Sequence, residues 1–300
     1  MKKRILVVAG VMSLSTVFAQ DLTSKKGETI LPEADDWSIG IDANPLLNYF
    51  GRMLSGAGST APTFEFLDGS LMHIVGKRFT DANTAQRAIL RLGFGSAHST
   101  AMIADMTATA PTFPAVPAML EDKMTASYKH IGLGAGIEKR RGSTRLQGLY
   151  GADAMLVFMG TSEKYEYGNG LSATVNAATG STGFTSSIMT GGSNITTDTY
   201  GNAARVTEAK SGSTFGIAIR GFIGAEYFFL PKISVGGEFG WGLMFSSTGA
   251  SSYTTESFNP GTNNAGNQTI EGGKSGGMAI DVDQNLSGTG SGTLRLNFHF

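Results

Sequence analysis

The alternation of short and long connections between β-like segments most restricts the fold of this chain. Apolar and polar residues alternate in eight segments, at residues 37–47, 71–79, 84–97, 127–139, 145–160, 214–229, 232–246 and 290–300. The connections run long, short, long, short, long, short, long, with the short ones at 80–83, 140–144 and 230–231. An up-and-down barrel sorts its connections by parity, one set at each rim, whereas a sandwich has no reason to do so. The sequence therefore predicts an all-β, antiparallel up-and-down barrel with eight strands. Ten strands is the alternative if a long connection carries a further hairpin.

The two faces of these segments differ in charge as well as in hydropathy. In the last one, Leu294, Leu296 and Phe298 alternate with Arg295 and Asn297. The charged faces would line an interior that is only wide enough for side chains in an eight-stranded barrel. Charges buried there must be paired, which predicts a filled interior rather than an open pore. The predicted ion-pair residues are Asp42, Arg87, Arg91, Glu138, Asp153, Arg220, Glu226, Glu238 and Arg295.

The N-terminal residues are typical of an exported protein. Lys2, Lys3 and Arg4 precede an apolar run, and Val17-Phe18-Ala19 ends in a small residue before Gln20. This pattern predicts a signal peptide at residues 1–19, cleaved near Ala19-Gln20. The rival interpretation, a membrane anchor, is disfavoured because a spanning helix needs about 20 apolar residues. The chain has no cysteine, so an exported form of it is not held together by disulfides.

Export, the parity of the connections and an apolar outer face together predict a transmembrane β-barrel in the bacterial outer membrane. Residues 20–36 would form a periplasmic segment and residues 37–300 the barrel. Short turns would face the periplasm and long loops the outside. Aromatic residues beside the short turns predict an interfacial belt made of Phe79, Tyr227, Phe228 and Phe229.

Two stretches resemble a known family. KRFTDANTAQRAILRLGFG (residues 77–95) resembles the strand–turn–strand of small outer-membrane barrels of Bacteroidota-type bacteria, the OmpX/OmpA/OmpW-like family. FFLPKISVGGEFGWG (residues 228–242) resembles the aromatic-Pro turn and Gly-Glu strand of the same family. The resemblance covers residues 37–300 in outline, and the long loops exceed those of a minimal barrel. It implies that Leu296, Phe298 and Phe300 are read by the outer-membrane assembly machinery.

The expected function is non-catalytic: a barrel that presents long loops for surface interaction or envelope integrity. A narrow channel for small solutes, similar to OmpW-type barrels, is the alternative. The expected partners are outer-membrane lipid, the assembly machinery and an unidentified extracellular partner, whereas the net charge of −1 disfavours nucleic acid. No cysteine–histidine cluster or nucleotide motif predicts a metal or cofactor.

The long connections carry two further features whose interpretation stays open. Residues 171–202 are rich in Gly, Ser, Thr and Asn, which is typical of exposed loops that either contact a partner or only tolerate insertions. The apolar, Pro-rich run at 109–120 fits a cap over the barrel mouth or an exposed patch. An enzymatic site, the least favoured alternative, would draw on residues near the second long loop: His98, Ser99, Asp105 and Asp122.

Overall fold

The computed structural model describes residues 22–43, 74–187, 191–282 and 293–300, which form thirteen strands without a helix. The predicted signal peptide at 1–19 lies outside these residues. The strands are β1 (Trp37–Asp42), β2 (Ile74–Asp81), β3 (Thr84–Ala104), β4 (Met119–Arg141), β5 (Leu146–Glu166), β6 (Ile195–Thr197), β7 (Ala203–Lys210), β8 (Thr214–Leu230), β9 (Ile233–Thr248), β10 (Ser252–Asn259), β11 (Asn264–Glu271), β12 (Ser275–Val282) and β13 (Thr293–His299). Within the described ranges, no helix has the length and hydrophobicity that crossing a membrane requires.

Eight of the strands form a closed ring. The antiparallel pairs run β1–β2–β3–β4–β5–β8–β9–β13, and β13 returns to β1 with Ile39 opposite Phe298 and Ile41 opposite Leu296. These are the eight segments identified by their period of two residues. The prediction of an all-β, antiparallel fold is confirmed. The short connections lie at one end of the ring, and the strand ends that the long connections join lie at the other.

The strands of the ring differ in length, and this difference shapes its long-connection end. β3, β4 and β5 have 21, 23 and 21 residues, whereas β1, β2 and β13 have 6, 8 and 7. At its upper end β5 leaves β8 and pairs with β7, which continues the sheet through β10 to β11. The β10–β11 hairpin is therefore the additional hairpin that a count of ten strands required, but it joins this extension and not the ring.

The two faces of the ring have the opposite chemistry to those of an ordinary soluble domain. On β4, Leu133 and Ile137 point outward with 51% and 47% of their surface exposed, while Glu138 points inward with none exposed. The same alternation holds around the ring. Outward apolar side chains include Ile39, Leu90, Leu92, Leu156, Ile217, Ile219, Ile223, Trp241, Phe245 and Phe298. Soluble domains rarely leave so large an apolar surface uncovered.

Two members of the predicted aromatic belt face the interior instead. Tyr227 and Phe229 are exposed on the outer face, but Phe79 and Phe228 are fully buried. The prediction was wrong for Phe228 because consecutive strand residues point to opposite faces, so Tyr227 and Phe229 cannot share a face with it. Phe79 belongs to a segment whose alternation fits either orientation, and the structure turns Val75, Lys77 and Phe79 inward.

The segment before β1 lies across the short-connection end of the ring. Ile30 is fully buried, and its carbonyl oxygen accepts a hydrogen bond from the Lys232 N–H at 3.2 Å in the β8–β9 turn. The Asp35 N–H donates to the Phe79 carbonyl oxygen at 2.8 Å, and Lys232 forms an ion pair with Asp36. This end of the ring is thus covered by residues 22–36.

Candidate functional site

Glu238 of β9 is the centre of a buried charge network inside the ring. Both its carboxylate oxygens accept hydrogen bonds from Arg87 of β3, at 2.9 and 3.1 Å. Arg220 and Arg295 reach the same carboxylate from β8 and β13, at 3.2 and 2.9 Å. Arg87 also lies 3.1 Å from Asp153 of β5, and its guanidinium stacks 4.2 Å above the Phe222 ring. Side chains from five strands therefore meet across the interior.

A second group of charges lies nearer the short-connection end. Glu138 accepts from Lys77 at 2.8 Å, from Arg87 at 2.7 Å and from Arg140 at 2.9 Å. Arg140 also contacts Glu226, which Asn297 and His299 approach to 2.8 and 3.2 Å. Arg87 links the two groups because it contacts Glu138 and Glu238 together. Five cationic side chains face four carboxylates, so each buried charge has an opposite charge beside it, as burial demands.

The structure brings most of the predicted ion-pair residues together. Those that share the network are Arg87, Glu138, Asp153, Arg220, Glu226, Glu238 and Arg295. Arg91 is also buried, but it lies four residues after Arg87 on β3, closer to the long connections. Its guanidinium donates to the Leu92 carbonyl oxygen at 3.4 Å. Asp42 pairs through its backbone with Arg295, and its side chain lies outside the described residues.

Sequence reasoning missed Lys77 and Arg140, which both join the network. Lys77 was missed because the facing of β2 is ambiguous in the sequence. Arg140 was assigned to a turn, but β4 continues to Arg141 and keeps its alternation. Since Glu138 faces inward, Arg140 two residues later must share that face, and this spacing was the available signal.

Glycines on the inner face make room for these long side chains. A Cβ at Gly136 would lie 2.1 Å from the Asp153 Oδ1 and 2.5 Å from the Ala152 carbonyl oxygen. A Cβ at Gly240 would lie 2.5 Å from the Arg220 Nε. Glycine at these two positions is therefore needed because a larger residue would collide with Asp153 or Arg220 of the network.

Apolar layers occupy the interior on both sides of the charges. Toward the short connections, the His299 ring lies 5.6 Å from Phe79 and 5.1 Å from Phe228, and Arg140 stacks over both phenylalanines. Toward the long connections, a buried apolar cluster crosses the ring. It consists of Val75, Ile89, Met155, Ala218 and Met244. Side chains thus fill the interior at several successive levels.

Above the ring, described parts of the long connections form a second structure, here called the outer platform. It consists of the upper ends of β3–β5, the strands β6, β7, β10 and β11, and segment 167–187. Arg205 of β7 is 1% exposed and is its central side chain. It donates to the Ser181 carbonyl oxygen at 2.9 Å, forms an ion pair with Glu256 at 3.0 Å and stacks 4.0 Å over the Tyr167 ring. The segment interpreted from its composition as an exposed loop is therefore anchored to the sheet through buried residues such as Leu171, Val175 and Ala178, while about half of its described residues are exposed.

Buried polar side chains attach segment 167–187 to the strands beneath it. Asp122, fully buried on β4, accepts hydrogen bonds from the N–H groups of Gly168 and Gly183 at 2.8 and 2.9 Å. The Asn169 side chain donates to the Ala104 carbonyl oxygen and accepts from the Met106 N–H, at 2.9 and 3.0 Å. These contacts satisfy backbone groups that no strand partner reaches.

Asp198, between β6 and β7, organises the turn beside β10. Burial alone would raise its pKa, but hydrogen bonds from the Asn202 amide, the Ser257 hydroxyl and the N–H groups of Asn202 and Tyr200 outweigh that effect. They lower the pKa of Asp198 from 3.8 to about 2. The carboxylate is therefore held in its charged form as part of the platform's framework.

The residues considered for catalysis have separate surroundings. His98 contacts the Thr125 hydroxyl at 3.0 Å on the outer face of β3, whereas Asp122 is buried under segment 167–187. Asp105 accepts hydrogen bonds from Thr107 at the tip of the β3–β4 hairpin. Ser99 lies opposite Met124 on the inner face of β3 and so points away from His98. The described residues contain no group of three His, Asp or Glu side chains suited to a metal ion.

The Pro-rich run at the tip of the β3–β4 hairpin is an exposed patch. Phe113 and Val116 have 97% and 80% of their surface exposed. The alternative of a cap folded over the mouth was wrong, because residues 109–119 are all exposed.

Comparisons with protein-family models, curated proteins and solved structures found no match to this chain.

Proposed function

We propose that this protein is a non-catalytic outer-membrane β-barrel whose ring of eight strands spans the bilayer and carries the outer platform on the cell surface. The observation that carries the proposal is the closed ring with an apolar outer face and a charged inner face. In a bilayer every backbone group must be hydrogen-bonded within the protein, and a closed sheet meets that requirement.

The outer apolar surface has the height of a membrane. On β8, the outward aromatics Tyr227 and Phe215 are exposed by 44% and 47%. They are separated by about 40 Å along the strand, or about 30 Å along the ring axis at a tilt of roughly 40°. The hydrocarbon core of a bilayer is about 30 Å thick. On β4 the outward run from Ile131 to Ile137 is bounded by Lys129 and Lys139, as expected where a strand enters water at each side.

Aromatic side chains lie at both boundaries of this surface. Trp37, Tyr227, Phe229, Phe298 and Phe300 are exposed near the short connections. Phe94, Phe215 and Phe245 are exposed near the long connections. Aromatic rings prefer the two interfaces of a membrane, so the short connections would face the periplasm and the platform the outside. The resemblance of residues 77–95 and 228–242 to small Bacteroidota-type barrels supports the same orientation.

The filled interior favours surface presentation over transport. Arg87 alone bridges Glu138, Asp153 and Glu238, and apolar layers lie above and below it. A narrow channel of the OmpW type would need a continuous polar path between these layers.

Membrane fractionation and gel mobility test the proposal. The mature protein is expected in the outer-membrane fraction, and its mobility on a denaturing gel should change on boiling, as that of a closed barrel does. Planar-bilayer recordings are expected to show no large, steady conductance. Recovery in the soluble periplasmic fraction would contradict the membrane proposal, whereas a steady conductance would replace surface presentation with the channel alternative.

A further inference from the structure

A cavity opens on the outer wall where β5 changes its partner from β8 to β7. Its volume is about 280 Å³, several times the roughly 30 Å³ that one water occupies in the liquid. Its lining includes serines and two lysines: Ser127, Lys129, Ser162, Lys210, Ser211 and Ser213. No carboxylate is among the described residues that line it.

Two lysine side chains give this cavity a positive charge. Among the described residues, no carboxylate forms an ion pair with Lys129, whose ammonium lies 4.9 Å from the Phe158 ring centre. Lys210 pairs with Glu208 at 2.8 Å, but about half of its side chain is exposed. Such an exposed pair contributes little and is readily exchanged for another anion.

The missing side chain at Gly160 lets the Lys129 side chain lie against β5 at the edge of the cavity. Gly160 lies beneath the Lys129 side chain, and a Cβ there would meet the Lys129 Cε at 3.0 Å and the Ser213 Oγ at 3.5 Å. The Ser211 hydroxyl bridges the gap, accepting from the Thr161 N–H at 2.9 Å and donating to the Thr161 carbonyl oxygen at 3.3 Å. The donors that line the cavity where the β5–β8 ladder ends are therefore the ammonium groups of Lys129 and Lys210 and the hydroxyls of Ser162 and Ser213.

The cavity adjoins the apolar outer surface. Lys129 pairs with Phe94 on one side and Gly160 on the other. One outward row below, Ile131, Phe158 and Phe215 begin the apolar surface. In the proposed orientation this is the level of lipid headgroups in the outer leaflet.

We infer that this cavity binds the phosphate group of a membrane lipid whose acyl chains lie on the apolar surface below it. This inference rests on the proposed function for the position of the membrane. Phosphate fits the donors because ammonium groups and hydroxyls are strong partners for its oxygens. The inference adds a lipid-binding site that the filled ring does not itself require.

Native mass spectrometry of the detergent-solubilised full chain tests the inference. The probes are dioctanoyl phosphatidic acid, dioctanoylglycerol, which lacks the phosphate, and inorganic phosphate. The pocket variant is Lys129→Gln with Lys210→Gln. Its matched control is Lys123→Gln with Lys164→Gln, two outward lysines that pair with Glu121 and Glu166. Both variants lose two positive charges, and both must retain the mobility change on boiling.

Wild type and control are expected to bind phosphatidic acid in preference to dioctanoylglycerol, with inorganic phosphate competing. The pocket variant should bind it about tenfold to thirtyfold more weakly, as expected for two lysines near a membrane surface. Equal binding by the pocket and control variants, or no preference for the phosphate, would overturn the inference. Binding of inorganic phosphate without lipid would overturn the lipid assignment. A chain that inserts into membranes without lysine-dependent lipid binding contradicts this inference alone, whereas a soluble chain contradicts the proposed function.

Discussion

At the scale of single residues, each of two buried carboxylates is surrounded by several hydrogen-bond donors. Glu238 forms ion pairs with three arginines from three strands. Asp122 accepts hydrogen bonds from two backbone N–H groups of segment 167–187. In both cases a buried carboxylate is tolerated because several donors surround it. Removing either carboxylate would leave its donors buried without a partner. The free-energy cost of that loss exceeds the net stabilisation that the interaction itself contributes.

Replacing Glu238 with Gln is expected to destabilise the ring strongly. The change would leave Arg87, Arg220 and Arg295 facing a neutral amide, and losing one partner of a buried pair costs roughly 3–5 kcal/mol. Denaturant unfolding of the protein in detergent measures the change. Glu166→Gln is the control, because it removes only an exposed pair with Lys164 and should change stability little. Equal losses in both variants would contradict a special role for the network.

Acid is expected to release the turn at Asp198. Because its pKa is lowered to about 2, its stabilising contribution is fully present above pH 3.8, the value in the absence of these contacts. The contribution is lost as the pH falls from 3.8 toward about 2. Hydrogen-exchange protection of the Tyr200 and Asn202 N–H groups, which donate to Asp198, measures it. Asp198→Asn should remove the titration, and a loss of protection already complete at about pH 5 would contradict the assignment.

At the scale of elements, one strand serves two structures. β5 pairs with β8 up to Met159 and with β7 from Ser162 onward. The first part of β5 therefore belongs to the ring and its last part to the outer platform. The change of partner makes the gap that forms the cavity beside Lys129. It also lets the platform be stabilised by its own contacts around Arg205, separately from those of the ring.

Arg205→Met should loosen the platform while leaving the ring intact. The substitution keeps apolar bulk but removes the donors to Ser181, Asn169 and Glu256. We expect the substitution to lower the free energy of local unfolding of the platform by roughly 3 kcal/mol. If segment 167–187 opens and closes faster than it is cleaved, its proteolysis should then accelerate on the order of a hundredfold. Limited proteolysis followed by peptide mapping measures this rate.

The mobility change on boiling should stay as in wild type, because the ring does not contain Arg205. Lys164→Gln, a change on the outer face of the same region, is the control and should leave the proteolysis rate unchanged. Loss of the mobility change in Arg205→Met would show that ring and platform unfold as one unit.

At the scale of the whole molecule, closure joins the two ends of the described sheet. The N–H of Trp37 donates to the carbonyl oxygen of Phe300 at 2.8 Å, and the N–H of Phe300 donates back at 2.9 Å. Phe300 points outward, 65% exposed, and Phe298 does the same at 40%. The last strand therefore presents an aromatic outer face at the place where the ring closes, which is compatible with the proposed recognition of Leu296, Phe298 and Phe300 during assembly.

Phe300→Ser is expected to lower the fraction of protein assembled in the outer membrane severalfold. Phe229→Ser is the matched control, since Phe229 is an exposed aromatic at the same end of the ring. If Phe300 is recognised by the assembly machinery, its loss reduces assembly more than the loss of an equivalent interfacial ring, which is worth only its burial in the interface. The heat-modifiable fraction in isolated membranes measures the difference. Equal effects would reduce Phe300 to an ordinary interfacial aromatic.

The sequence by itself determined the eight strands of the ring and their antiparallel order, whereas β6, β7, β10, β11 and β12 were not predicted from it. The ring strands and their order follow from a period of two residues and from connection lengths, which are local properties. It also determined the inward position of residues such as Glu138, Arg220 and Glu238, because an unbroken alternation assigns every second residue to one face.

Only the tertiary structure decided the facing of β2, the partners within the ion-pair network and the packing of segment 167–187. The two faces of β2 do not differ clearly in hydropathy, so the sequence of β2 does not decide which face points inward. Lys77 and Phe79 point inward because they contact Glu138 and His299 of other strands. Segment 167–187 has the composition of a loop, and it is ordered by Asp122 and Arg205, which lie outside it in the sequence. Contacts between residues so far apart depend on closure of the whole sheet, and no local pattern encodes them.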